Sequence, residues 1–456
     1  MFFSAVLPHQ VYYDSSGAYH ELPVLHGEDG HFDSLLDYCL DKRGMSTAWK
    51  RKLVFNVQLF LEYMHANPHE QNTVRLFQNF ASKLETGTFN RETGSDPSRL
   101  GWHPRTPSES QQIITRISDF LDWLNKKDPS IILVNPRVPM NATDRAVYDA
   151  AETYRRKHSL LGHLWKRPTQ ADETTQQVKG TSGPKVMGEP PAFPEDRFEE
   201  FLERGFTVGG RTNYRNQAIT LLMHGAGFRI SEPMHAYIGD VSHAPTNFRK
   251  ALVRIHHPTL GVAPSDFLDE RGRPIRCGRA EYLKRKFGLA PRTDLMSKRE
   301  SGWKGKVLDG KHYLQTFWFK PDYAELFMQI WEKYMEQVAD IPLKLRRHPY
   351  AFMNIHREPK GSIYALDKFV TSHGRACERI GLRVAKHLGT TPHGHRHSYG
   401  RRLAAAGIPP HVIRKCMHHA SEQSQTVYTT NTTQEALAEL EAGFQRMQSS
   451  STGISK

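Results

Sequence analysis

Apolar residues recur at helical spacing from Trp49 onward. Trp49, Leu53, Val57, Phe60, Leu61 and Met64 share one face, Ser46 and Thr47 stand where a cap is needed, and Asn67-Pro68 where a helix must stop. A second stripe, Phe77, Phe80, Ala81 and Leu84, ends at Gly87; a third, Ile113, Ile117, Phe120, Leu121 and Leu124, follows Thr106-Pro107. Such helices, with no alternating strand pattern between them, predict an all-α unit over 31–127 behind an N-terminal extension, 1–30. Residues 143–161 read as another helix. The stretch 171–191 has almost no bulky apolar residue and much Gly, Pro, Thr and Gln, so 128–192 reads as a helix plus a flexible linker.

A new pattern starts at Pro194, with Phe198, Phe201 and Leu202 on one face and Gly205 after it, which opens a second domain over 193–448. Residues 213–225 form a further amphipathic helix. In GWKGKVLDGKHYLQTFWF, Asp309-Gly310 lies between short apolar-aromatic runs, a hairpin signal that predicts one small antiparallel sheet. Helices are then expected over 395–406 and 410–417, near Tyr428 and through Leu437, Leu440, Phe444 and Met447, the last with a Thr432/Glu435 capping box. The tail, 449–456, is expected to be disordered. The predicted fold class is mainly α with a small antiparallel β-sheet.

Composition changes this picture in one respect. Across 456 residues, 62 Lys+Arg against 48 Asp+Glu give +14 and a pI near 9.5, which points to a polyanionic partner. The charge is clustered, since 271–311 holds 13 Lys/Arg and only 4 Asp/Glu. A solvated basic loop would look the same; the functional alternative is phosphate contact through residues such as Arg271, Arg273, Arg276, Lys284, Arg285 and Lys286. Four dispersed cysteines, Cys39, Cys277, Cys377 and Cys416, suggest neither a disulfide framework nor a zinc site and fit a reducing cytoplasm. No apolar run is long enough to span a bilayer and no nucleotide-binding glycine motif occurs, so neither membrane insertion nor nucleotide-driven chemistry is expected.

Breaking a phosphodiester without a metal requires rigid cations around the phosphate, a nucleophile in line, and a proton for the departing sugar oxygen. Arginine suits the first role because its planar fork stays charged and grips two oxygens. GFRISEP at 227–233 and PHGHRHSYGRRLAAAGIPPHVIRKCMHHASEQSQTVYTT at 392–430 supply these residue types in order. Here the chain resembles the tyrosine recombinases of the phage integrase family. The resemblance puts the first arginine at Arg229 with Glu232 beside it, the H-x-x-R at His393 and Arg396, the late histidine at His419, and the nucleophile at Tyr428. Two departures stand out: His418 replaces the usual glycine, and His395 the usual leucine. The family's lysine falls on Lys304, far beyond Arg229, with Lys306 and Lys311 as substitutes. His393 and His397 could instead be read as metal ligands, Arg229 as a surface residue and Tyr428 as a packing residue; the ordered set outweighs those readings.

The resemblance implies an all-α core-binding domain and a mixed α+β tyrosine-recombinase catalytic domain. It implies a site-specific recombinase or integrase working through a 3′-phosphotyrosyl intermediate for a mobile element. No cofactor or metal is implied. The implied partners are double-stranded DNA and three further copies of the chain, a homotetramer on two duplexes that is a monomer or weak oligomer when free, in the cytoplasm on bacterial nucleoid DNA. The same chemistry would serve a topoisomerase of type IB or a resolvase, and a basic regulator with a decayed site is the non-enzymatic alternative.

Overall fold

The computed structural model describes residues 4–12, 19–28, 30–90, 92–131, 134–157, 174–180, 190–297, 299–305, 308–310 and 312–419. Two compact units emerge, 1–11 with 21–185 and 12–20 with 186–456. Among the described residues, no helix is long and apolar enough to cross a membrane. The helix expected near Tyr428, the one capped by Thr432 and the tail lie outside the described residues.

In the first unit, α1 (Asp33–Asp41), α2 (Thr47–Ala66), α3 (Thr73–Thr86) and α4 (Pro107–Lys127) carry the stripes seen in the sequence. Their ends are chemically set. The Ser46 hydroxyl accepts from the Trp49 N–H, Asn72 caps α3, and Thr106 with Glu109 forms a complete capping box. Phe60, Phe77, Phe80 and Trp102 build an aromatic core between α2, α3 and α4.

The N-terminal extension, for which no element was expected, carries a small sheet ahead of these helices. Strands β1 (Ala5–Tyr12), β2 (Tyr19–Gly27) and β3 (Gly30–His31) form a sheet in that order, and β2 buries Leu22, Val24 and Leu25. Its buried residues run consecutively from Leu22 to Leu25 without alternation, and Pro23 among them argues against a central strand. The linker reading fails over 174–180. Strand β5 (Thr174–Gln176) pairs antiparallel with β4 (Arg137–Pro139), ahead of α5 (Ala142–Lys157) in the chain, and Val178 is buried. The Val178 N–H donates to Asn135 Oδ1 at 2.8 Å, and Asn135 Nδ2 donates both to the Val178 carbonyl and to Ser118 Oγ. A polar segment is fastened here by buried hydrogen bonds, which hydropathy does not register.

In the second unit, a helical stretch runs through Glu195–Arg197, α6 (Phe198–Glu200) and a π turn, Phe201–Gly205, and a short antiparallel pair, β6 (Thr207–Val208) and β7 (Arg211–Thr212), follows it. Helix α7 (Tyr214–Ala226) is the hub, buried on every side from Arg215 to Ala226. Its polar residues are all engaged. Arg215 donates to the Met353 carbonyl and lies over the Tyr364 ring, Asn216 donates to Ser372, and Gln217 to the Leu202 carbonyl. Around α7 pack α9 (Pro321–Ala339), α10 (Leu366–Arg379) and α11 (Pro392–Ala405), followed by α12 (Pro410–Cys416). Helix α11 begins at Pro392, earlier than the expected 395, so His393 occupies its first turn.

The small sheet is antiparallel but not the expected hairpin. Its order is β10-β9-β8, with β8 (Val241–Ala244) and β9 (Asn247–His256) adjacent in sequence and β10 (Tyr313–Gln315) returning from far downstream to pair Leu314 with Ile255. Among the described residues of 299–310 there is no strand leading into Asp309 to form a hairpin with β10. Asp309 accepts from the Gln315 N–H through its side chain, which bends the chain into β10.

Between β9 and β10, residues 257–312 include α8 (Arg279–Phe287). Two of the basic residues counted as surface charge are in fact buried here. Arg279 makes a two-pronged ion pair with Asp240 and stacks on Tyr237; Arg292 donates to the carbonyls of Met234, Tyr364 and Arg299. Burial lowers the Arg292 guanidinium to about 10. Arg271, Arg273, Arg276, Lys284, Arg285 and Lys286 are exposed, with Arg273 paired to Asp269 and Arg285 to Glu281.

Candidate active site

Helix α7 ends at Gly227, which takes the left-handed conformation at φ 73°. Its N–H reaches the Met223 carbonyl and the Phe228 N–H reaches the Leu222 carbonyl, a closure that ends the helix abruptly. Phe228 then plugs the core, and Arg229 emerges beside α11. The fully buried Glu232 fixes it, accepting from the Arg229 backbone N–H at 2.8 Å and from its Nη1 at 2.9 Å.

Arg396, two per cent exposed, lies on α11 and donates through Nη1 to the Gly227 carbonyl and through Nη2 to the Met417 carbonyl. One guanidinium thus joins the end of α7 to the turn after α12 and has its plane fixed by both. A methyl group at Gly227 would collide with the Tyr399 ring, which is buried and bonded through its hydroxyl to the Phe317 carbonyl at 2.6 Å. Gly227→Ala is therefore expected to cost about 3 kcal/mol or more, from the clash and the left-handed backbone together. Denaturant unfolding of the purified chain checks it; a loss below about 1 kcal/mol would contradict this account.

After α12 the chain turns at His418, with φ 52°, a conformation that favours glycine and explains why glycine suits this position. His418 is directed away from the arginines: its Nε2 meets Asp309 Oδ2 at 2.7 Å, and its ring lies near Phe228 and Phe317. His419 takes the place beside the cations. Burial, followed by the charges of Arg396, Arg229, His418 and His393, lowers its imidazole to about 3.

His393 sits in a recess open to solvent. Partial desolvation, then His397, Arg396, Arg229 and Lys304, lower it to about 4. Lys304 is exposed, and its segment is tethered next to the first arginine by the Ser301 hydroxyl, which donates to the Ser231 carbonyl at 3.0 Å. Arg229, Lys304, His393, Arg396 and His419 therefore form one cationic cluster. Tyr428, Lys306 and Lys311 lie outside the described residues.

His393 and His397 do face each other, with ring centroids 4.4 Å apart, but His395 turns to the opposite side of α11, into the core. Among the described residues, no group of histidine, cysteine and carboxylate side chains is arranged to hold a metal ion. The chemistry the cluster offers is the gripping of a phosphate by two guanidinium groups with two unprotonated imidazoles alongside.

Residues 333–435 match the family model described as the phage integrase family. This part of the chain is a phage integrase family domain. It contains α10, α11 and α12, and with them Arg396 and both adjoining histidines. With that domain the chain is a DNA strand-exchange enzyme, a protein of DNA recombination and integration. No curated protein matches it. Among solved structures, the XerA recombinase is similar at 13% identity over 90% of this chain and 96% of that one, with a TM-score of 0.34. A lambda integrase (75-356) dimer bound to a COC' core site is similar at 10% identity over 87% and 95%, with a TM-score of 0.43. Likenesses of that degree carry no weight for the chemistry.

Sequence reasoning missed the buried partners of this site: Asp309 beneath His418, the Ser301 tether and the histidines behind His395. Only His395 left a signal, a polar residue where the resemblance calls for leucine.

Proposed function

We propose that the chain is a site-specific DNA recombinase in which the Tyr428 hydroxyl attacks a backbone phosphate. The Tyr428 Oη–P bond forms as the P–O5′ bond breaks, leaving a 3′-phosphotyrosyl link and a free 5′-hydroxyl. Arg229 and Arg396 hold the non-bridging oxygens together with His419. His393 accepts the phenolic proton and Lys304 supplies one to the 5′-oxygen. The observation that carries this reading is the convergence of Arg229 and Arg396 on His393 and His419, both guanidinium groups acting on both imidazoles and Lys304 acting on His393.

Both imidazoles are depressed well below neutrality, so each is free of a proton at pH 7, and His393 can accept one. A phenol near pKa 10 is a weak nucleophile, and the positive cluster lowers the cost of ionising it. Because the phosphotyrosyl bond conserves the energy of the linkage it replaces, joining a new 5′-hydroxyl needs no nucleotide. The resemblance extends this to four protomers on two duplexes, serving a mobile element on DNA in a bacterial cytoplasm.

Incubation of the chain with nicked duplexes of random sequence, followed by denaturing electrophoresis, should yield a covalent protein–DNA adduct whose DNA can be sequenced. Tyr428→Phe should give none. An adduct that persists in Tyr428→Phe would move the nucleophile elsewhere, and absence of any adduct with the unaltered chain would favour the regulator.

A further inference from the structure

Behind the site, three wholly buried histidines from three helices form one hydrogen-bonded line. His224 of α7 meets His395 of α11 through their Nδ1 atoms at 3.2 Å, and His395 meets His373 of α10 through their Nε2 atoms at 2.8 Å. The line continues at both ends. Arg402 Nη1 lies 2.7 Å from His224 Nε2, and Arg402 Nη2 donates to the His224 carbonyl. At the other end His373 Nδ1 lies 3.8 Å from Cys377 Sγ, whose thiol donates to the Thr390 carbonyl at 3.5 Å.

The tautomers follow by elimination. A guanidinium only donates, so His224 Nε2 must accept and its proton sits on Nδ1. His395 then accepts at Nδ1 and carries its proton on Nε2. His373 accepts at Nε2 and donates from Nδ1 to the sulfur. Every bond points the same way, from Arg402 to Thr390, and each ring stays neutral. The surroundings favour neutrality. His224 stacks on Phe198 with centroids 3.5 Å apart and His395 on Phe193 at 4.2 Å, while Glu195, the carboxylate at this end, is engaged by Arg402 and stands 3.6 Å from His224.

The endpoints give the line a purpose. Arg402 lies near the end of α11 and Thr390 two residues ahead of its start, with His395 between them, so the relay grips α11 at two places and the chain leading into it at a third, and ties it to α7 and α10. Helix α7 leads into Arg229, and α11 carries His393 and Arg396. We propose that His224, His395 and His373 form a directional, neutral relay that sets the register of α11 against α7 and so positions His393 and Arg396 relative to Arg229. His395 is a positioning residue, and its effect on cleavage rests on the function proposed above.

The test has two arms. In the full chain carrying ¹⁵N-labelled histidine, long-range ¹⁵N–¹H correlation at pH 7.5 should show His224 and His373 protonated on Nδ1 and His395 on Nε2. A cationic His395, or one protonated on Nδ1, would overturn the relay. In the second arm, adduct formation is timed with protein in saturating excess over a duplex recovered as above, and the folded fraction is checked by circular dichroism.

His395→Leu keeps the volume but leaves a buried donor on His224 and an acceptor on His373 unmet. It should slow adduct formation by roughly 10- to 100-fold with little change in DNA affinity. His395→Gln, which offers one acceptor and one donor, should restore most of the rate. Leucine as fast as histidine, or glutamine as slow as leucine, would refute positioning. Silence of the unaltered chain in this assay would count against strand cleavage alone, and the nitrogen spectra would still decide the relay.

Discussion

Arg396→Lys should slow strand cleavage by roughly 10²- to 10³-fold, about 3–4 kcal/mol of transition-state stabilisation. A lysine keeps the charge and loses the geometry. Arg396 holds the Gly227 and Met417 carbonyls with separate nitrogens of one rigid plane, and that plane aims the fork at the phosphate. A single ammonium on a flexible stem cannot satisfy both carbonyls from one place while presenting two parallel donors to an oxygen pair. The appropriate measurement is the single-turnover rate of adduct formation, with DNA affinity followed separately. Affinity should change far less than rate, because many phosphates contribute to binding and one to reaction. A rate within threefold of the unaltered chain, in a correctly folded variant, would remove Arg396 from the proposed chemistry.

Stability should fall steeply on acidification below pH 6.5, well before carboxylates titrate. Burial pushes His235 and His373 down to about 3 and His348 to about 4, and holds His224 and His395 well below their usual range. Above the unfolded value near 6.5 these rings are neutral in both states and contribute nothing. Between there and the folded values the unfolded chain binds protons that the folded chain refuses, so unfolding becomes easier with each step down. Each such ring costs up to about 1.4 kcal/mol per pH unit, and five of them rival a typical folding free energy of about 5–15 kcal/mol. Denaturant titrations at pH 7.5, 6.5, 5.5 and 5.0 should show little change over the first step and a collapse over the next two. A midpoint that stays level down to pH 5 would mean that these histidines are not held neutral.

Much of the helical framework could be read directly because helices are local. The stripe from Trp49 to Met64, its Ser46 cap and the Thr106/Glu109 box lie within one or two turns of the residues they organise, so neighbours in sequence are neighbours in space. The cationic cluster was legible for another reason: cleaving a phosphate demands particular side chains, and 227–233 and 392–430 carry them in a recognisable order. Pairings across long separations were hidden. Nothing near Asp309 says that β10 will join β9 rather than fold on itself, and the strand over 19–27 is masked by Pro23. Charge was a poor guide to location as well. Arg279 and Arg292 look like their exposed neighbours, and Asp240 with the Met234 and Tyr364 carbonyls, remote in sequence, together with the nearer Arg299 carbonyl, make their burial tolerable.

From its sequence alone the chain specifies which segments coil, where they stop, and which residue types are available to meet a phosphate, because propensity, capping and chemical demand act at short range or on single side chains. Tertiary structure decided which histidine stands by the guanidinium groups, how a lysine beyond a long insertion returns to Ser231, and that His395 faces inward to two other imidazoles. Those outcomes depend on backbone direction at Gly227 and His418 and on hydrogen bonds between segments far apart in the chain, where a rotation about one bond redirects everything that follows.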